Sequence, residues 1–139
     1  MVEAGADIII GTHPHVLRDI EIMERYEGDQ TGAVVAYSLG NFISAQSVPK
    51  LMVGGVLTFD VVMNPITRQV DINDVLLVPT VTHYDRGYSF IRVYPLEEYT
   101  AELAAVHGVR SQGEFSMDFI YRLLKRIVSA EYLPEWMGE

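Results

Sequence analysis

Asp7-Ile8-Ile9-Ile10-Gly11-Thr12-His13-Pro14-His15 is the stretch on which the reading of this chain turns. Ile8 to Ile10 are apolar on both faces of an extended segment, the pattern of a short strand buried between covered neighbours. Before it, Met1 to Asp7 reads as the last turn of a helix, with Gly5 as the left-handed residue that ends it. It has no basic n-region and is not a signal peptide. A chain that opens on a helix end and enters an apolar strand predicts further material upstream; the competing reading is a true start with a frayed first turn. After Gly11, Pro14 holds His13 in extended geometry. Side chains two residues apart on an extended segment point the same way. The imidazoles of His13 and His15 are therefore expected to converge at the end of a strand, where open α/β sheets place ligands. Neutral imidazole is a common metal ligand; two surface histidines in a loop is the plainer alternative.

Outward from this point the chain is β-rich. Val16 to Met23 and Ala33 to Tyr37 read as strands around a charged, Gly-containing turn over 24–32. Ser38-Leu39-Gly40-Asn41-Phe42 reads as a turn needing a left-handed residue. Gly55 to Met63 and Val70 to Val78 alternate about an Asn-Pro turn and predict a hairpin, with Tyr88 to Tyr94 as a third strand. Pro79 and Pro95 are expected to end runs, and His83 falls in a loop. The period then changes. Leu96 to His107 reads as a helix with Gly108 as its cap and His107 at its end, where a cation suits the dipole. Ser116 to Ala130 is the clearest helix, with Phe119, Ile120, Leu123, Leu124, Ile127 and Val128 on one stripe. The tail, Glu131 to Glu139, is expected to be loosely held.

The chain has 139 residues, no cysteine, ten Lys+Arg and nineteen Asp+Glu. Disulfides and a Cys nucleophile are thereby excluded. A net charge of −9 argues against a nucleic-acid partner. No run reaches the roughly 18–20 apolar residues of a membrane helix. The acidic balance fits either cation binding or a solvated surface.

Gly5-Ala6-Asp7-Ile8-Ile9-Ile10-Gly11-Thr12-His13-Pro14-His15-Val16-Leu17, followed by Glu21 and by Tyr37-Ser38-Leu39-Gly40-Asn41-Phe42-Ile43, resembles the bacterial capsule synthesis protein family (CapA-type, poly-γ-glutamate capsule biosynthesis) over roughly Val2 to Leu96. That family is similar to calcineurin-like metallophosphoesterases. The resemblance implies an α/β class, α+β in this fragment: the C-terminal part of a four-layer α/β/β/α sandwich. Residues 1–96 would form that part and residues 97–139 a helical extension packed on it. It implies a two-metal phosphoesterase site holding divalent Mn, Zn or Fe, with His13 and His15 as metal-binding and catalytic residues. Thr12, Glu21 and Asn41 are accessory candidates. Glu21 is read either as orienting a histidine or as facing solvent, and Asn41 either as supporting the site or as serving its own turn.

The family's G-D, N-N-H and H-W-G-x-E segments are absent. A catalytic metal takes three or more protein ligands, so the chain alone is expected to be inactive; divalent metal is expected in the full-length protein, with or without a metal held by this fragment alone. Its expected partners are the missing N-terminal part of the same protein and the capsule or polyglutamate synthesis machinery. An exposed sheet edge is expected either to pair with another copy or to be covered by the C-terminal helices. An extracytoplasmic, membrane-associated location is implied for the whole protein. The alternatives are a non-catalytic module for assembling or binding an envelope polymer, and a plain β-rich domain with an incidental H-P-H loop.

Overall fold

A computed structural model describes residues 1–29 and 31–138; Gln30 in the 24–32 turn and Glu139 in the tail lie outside the described residues. Two three-stranded sheets and two helices make an α+β fold. The first sheet contains β1 (Ile8–Ile10), β2 (Ile20–Met23) and β3 (Ala33–Ala36) in the order β1-β3-β2. β3 runs parallel to β1 and antiparallel to β2. Its four residues are all buried, as their uniformly apolar sequence predicts for a central strand. β1 lies at the edge instead, with Ile8 and Ile9 half-buried and Ile10 exposed. Of the expected strand over Val16 to Met23, regular β2 covers Ile20–Met23. The segment before it stays paired in the same register, through a bridge between Leu17 and Leu39 and hydrogen bonds from the Arg18 N–H to the Ser38 carbonyl at 2.8 Å and from the Tyr37 N–H to the Asp19 carbonyl at 3.1 Å. Gly5 closes a short 3-10 turn over Val2–Ala4 with φ +92°, as read from the sequence.

The second sheet is an antiparallel meander of β4 (Val53–Met63), β5 (Val70–Asp85) and β6 (Ser89–Pro95). Asn64 builds the hairpin turn: its Oδ1 accepts from the backbone N–H groups of Ile66 and Thr67 at 2.9 and 3.1 Å. β5 does not stop at Val78. Pro79 lies inside it, opposite Gly55, one residue beyond the last β5–β6 pair of Thr80 with Pro95. A proline is tolerated there because β6 has already ended on that flank. The extension turns His83 into a buried strand residue rather than a loop histidine.

The C-terminal elements close the core. Leu96–Glu98 forms a 3-10 turn, and α1 (Ala101–Val106) starts later than expected because Thr100 caps it, its side chain accepting from the Leu103 N–H at 3.3 Å. His107, not Gly108, ends α1. Ser116 caps α2 (Met117–Ile127) in the same way at 3.1 Å. Ile120, Leu123 and Leu124 enter the main core with Leu17, Ile20 and Val34 of the first sheet and Met52, Val53, Leu77 and Val81 of the second. Each large aliphatic side chain buried there contributes about 1.5–3 kcal/mol. The tail is not loose: Tyr132, Leu133 and Met137 are buried in the same core. Among the described residues, no helix is long and apolar enough to cross a membrane.

Candidate functional site

The strand-to-loop exit is fixed by backbone pairing. The Gly11 N–H donates to the Ala36 carbonyl at 2.8 Å, and the Leu39 N–H donates to the Gly11 carbonyl at 3.1 Å. The chain then turns: the His15 N–H donates to the Thr12 carbonyl at 3.1 Å, and His15 adopts φ +56°. The segment is a tight turn rather than the extended stretch expected from Pro14. A left-handed conformation at a non-glycine residue is costly and is held only where its surroundings fix it. The two rings nevertheless come together, with centroids 6.4 Å apart and planes inclined at 44°. Both side chains are exposed and line a cavity of about 660 Å³ with Ile10, Thr12, Asn41 and Val56.

Asn41 holds the His15 ring. The His15 Nδ1 and Asn41 Oδ1 lie 2.8 Å apart. The Asn41 amide nitrogen points at two carbonyls, of His15 at 3.2 Å and of Leu51 at 3.3 Å. Only an NH₂ satisfies two carbonyls, so Oδ1 is the atom facing the ring, and an amide oxygen only accepts. Nδ1 must then carry the proton, which leaves Nε2 of neutral His15 with its lone pair. Fixing one ring nitrogen as a donor is how supporting groups set the tautomer of ligating histidines.

The turn that carries Asn41 gets its left-handed residue from Gly40 (φ +70°), so the amide is free for His15. Gly54 backs this arrangement: a Cβ there would stand 2.3 Å from the Asn41 carbonyl oxygen, so only glycine lets β4 approach. Thr12 lies in the cavity and closes the turn through its backbone. Glu21 does not join the histidines. It lies exposed on β2, does not line the cavity, and accepts a hydrogen bond from the Tyr37 hydroxyl. The cavity wall from β4, at Gly55, Val56 and Leu57, is supplied by the second sheet, and no sequence motif marks it.

Among the described residues, no group of three or more His, Cys, Asp or Glu side chains is placed to hold a metal ion. The other two histidines are structural. His107 is buried, donates from Nε2 to the Thr82 carbonyl at 2.9 Å and accepts at Nδ1 from the Val109 N–H at 2.9 Å. Burial pushes its pKa down to about 4, so it is a neutral core residue and not the cation expected at a helix end. His83 packs against it, with ring centroids 4.7 Å apart, and meets the Tyr99 hydroxyl at 2.8 Å.

Residues 1–46 match the family model for the bacterial capsule synthesis protein PGA_cap. The same stretch is 52% identical over 46 residues to the PGA biosynthesis protein CapA of Bacillus subtilis (strain 168) and 46% identical over 46 residues to the capsule biosynthesis protein CapA of Bacillus anthracis. Each match covers 33% of this chain and 10% of the relative, so the chain aligns with about a tenth of these proteins' length. No solved structure matches. The matched stretch is narrower than the span to Leu96 expected from the motifs, but it contains the Thr12–His15 turn and Asn41. Over these first 46 residues the chain is similar to CapA-type bacterial capsule synthesis proteins.

Proposed function

We propose that this chain is part of a capsule biosynthesis protein of the metallophosphoesterase type, and that its Thr12–His15 turn contributes the closing H-x-H donors of a two-metal site. The reading rests on the Asn41–His15 contact, which sets the ring as a ligating histidine requires. Two imidazoles do not make a complete site, since a catalytic metal takes three or more protein ligands. The other donors are assigned to a separate, N-terminal part of the same protein. The half-exposed edge strand β1 supports this, because further strands can add beside Ile8–Ile10. So does the exposed apolar rim of Ile10, Phe42 and Val56 around the cavity. Pairing of β1 with a second copy is the other use of that edge.

In the assembled protein, divalent Mn, Zn or Fe would supply Lewis acidity and an activated water. Within this chain, Asn41 orients His15, the Thr12–His15 turn presents both rings, and the β4 wall limits solvent on one side. The whole protein is assigned to the extracytoplasmic face of the membrane, with the capsule synthesis machinery as its partner. The alternative of a non-catalytic polymer-assembly module draws on the incomplete donor set.

Titration of the ¹⁵N-histidine-labelled chain with Zn²⁺ tests the donor role. The expected result is an Nδ1-protonated His15 whose Nε2 resonance moves on addition of metal, with no response in the His13→Ala/His15→Ala variant. Ring signals of His13 and His15 that stay still at millimolar Zn²⁺ overturn it. Upstream sequence carrying the G-D and N-N-H segments would favour the enzyme over the assembly module.

A further inference from the structure

On the far side of the His13-Pro14-His15 turn lies a second cavity, of about 680 Å³. Pro14 lines it, with Arg18, Tyr37, Lys50, Leu123 and Arg126. Its walls come from distant parts of the chain: Arg18 follows the histidine turn, Lys50 lies in the Pro49–Met52 3-10 turn, and Arg126 is in the last turn of α2. The chain has only ten cationic side chains against nineteen acids, yet three of the ten meet here. Among the described residues none of the three forms an ion pair.

The one carboxylate in the lining, Asp19, is engaged elsewhere. Its Oδ1 accepts from the Ser129 N–H at 3.0 Å and the Ile20 N–H at 2.9 Å, and its Oδ2 accepts from the Ser129 hydroxyl at 3.2 Å. These bonds engage both of its oxygens and also pin the end of α2 to the segment carrying Arg18. A cation at the C-terminal end of a helix is favoured by the dipole. That accounts for Arg126 alone, not for the convergence of three elements. Beyond Arg126 the face is mixed: Lys125 lies beside Asp118, and Arg122 is paired with Glu114 at 2.6 Å.

We propose that this cavity binds a multivalent oxyanion, a phosphate or a polycarboxylate, through Arg18, Lys50 and Arg126. Guanidinium groups grip either anion through paired N–H donors, and the ammonium adds a point charge. Tyr37 lies in the same lining, with its hydroxyl already donating to Glu21. The site is separate from the histidine cavity and does not depend on a metal there.

The test is calorimetric titration of the metal-free chain, at constant ionic strength, with pyrophosphate and with tricarballylate, using acetate as the monovalent control. The expected result is saturable 1:1 binding of at least one multivalent anion and none of acetate. The tighter of the two assigns the source as phosphate or carboxylate. Lys50→Gln/Arg126→Gln weakens binding at least tenfold. Arg68→Gln/Arg86→Gln removes equal charge elsewhere and changes it less than twofold. The His13→Ala/His15→Ala variant binds as the parent does, which separates this site from the metal reading. Unchanged thermal midpoints show that each variant is folded. Absence of saturable binding, equal weakening by both charge-removing pairs, or loss in the histidine variant overturns the proposal.

Discussion

Asp19 and Ser129 stand 110 residues apart in the chain and share two hydrogen bonds, from the Ser129 N–H at 3.0 Å and from its hydroxyl at 3.2 Å. This contact fastens the end of α2 to the loop leading into β2. Asp19→Ala removes both bonds and the Ile20 bond together, and is expected to destabilise the fold by about 2–3 kcal/mol. Ser129→Ala keeps the backbone donor and is expected to cost about 1 kcal/mol. Chemical denaturation of the two variants checks the order; a larger loss in Ser129→Ala contradicts it.

The Asn41 amide serves three partners: His15 Nδ1, the His15 carbonyl and the Leu51 carbonyl. Asn41→Asp keeps an acceptor for the ring but turns a second oxygen toward two carbonyls. Its expected cost is about 2–3 kcal/mol, since a charged acceptor is then left unpaired at a buried position. Asn41→Ala releases the ring, and the ¹⁵N spectrum of His15 is expected to change from one tautomer to a mixture. A single Nδ1-protonated tautomer in that variant removes the assigned role of Asn41.

His15 holds a left-handed backbone at φ +56°. Replacing it by glycine relieves about 1 kcal/mol of strain and loses one hydrogen bond of similar worth. His15→Gly is therefore expected to leave the unfolding free energy within about 1 kcal/mol of the parent while abolishing the Zn²⁺ response. A loss well above that range shows that the ring supports the fold rather than a ligand.

Stability is expected to depend on pH through His107. Its folded pKa lies at about 4, below the ordinary 6.5, because burial disfavours the imidazolium. Below pH 6.5 the unfolded chain takes up a proton that the folded chain refuses. Stability is thus full above pH 6.5 and falls between pH 6.5 and 4 by about 3 kcal/mol from this group. Asp29 adds a second loss at lower pH, since its hydrogen bonds from Arg25 hold its pKa well below the usual carboxylate range. Denaturation of the parent and His107→Gln across this range isolates the histidine; parallel curves rule it out.

The α2 stripe was legible because its burial follows a single period, and Gly5 because a helix end needs a left-handed residue. The C-terminal part of β5 was not. Pro79 to Tyr84 are buried in sequence, so no alternation marks them. Thr82 and His83 look like loop residues until their partners, the Phe42 carbonyl and the Tyr99 hydroxyl, are brought beside them. The tail misled for the same reason: Tyr132, Leu133 and Met137 find the core only through the fold. At the site, the histidine pair was visible as a motif. The turn that bends it was not, because Pro14 restricts the residue before it and leaves His15 free to turn back. Glu21 looked close to the histidines in sequence, but it faces solvent from β2 beside Tyr37.

The Asn41 contact also shows where this protein cannot be divided. The recognised stretch ends at residue 46, but the amide leans on the Leu51 carbonyl, and Gly54 gives the Asn41 backbone its room. A graft of the first 46 residues onto a foreign scaffold would carry both histidines and lose the backing of the residue that orients one of them. The smallest transplantable unit runs at least through Gly54 and needs β5 to keep β4 in place.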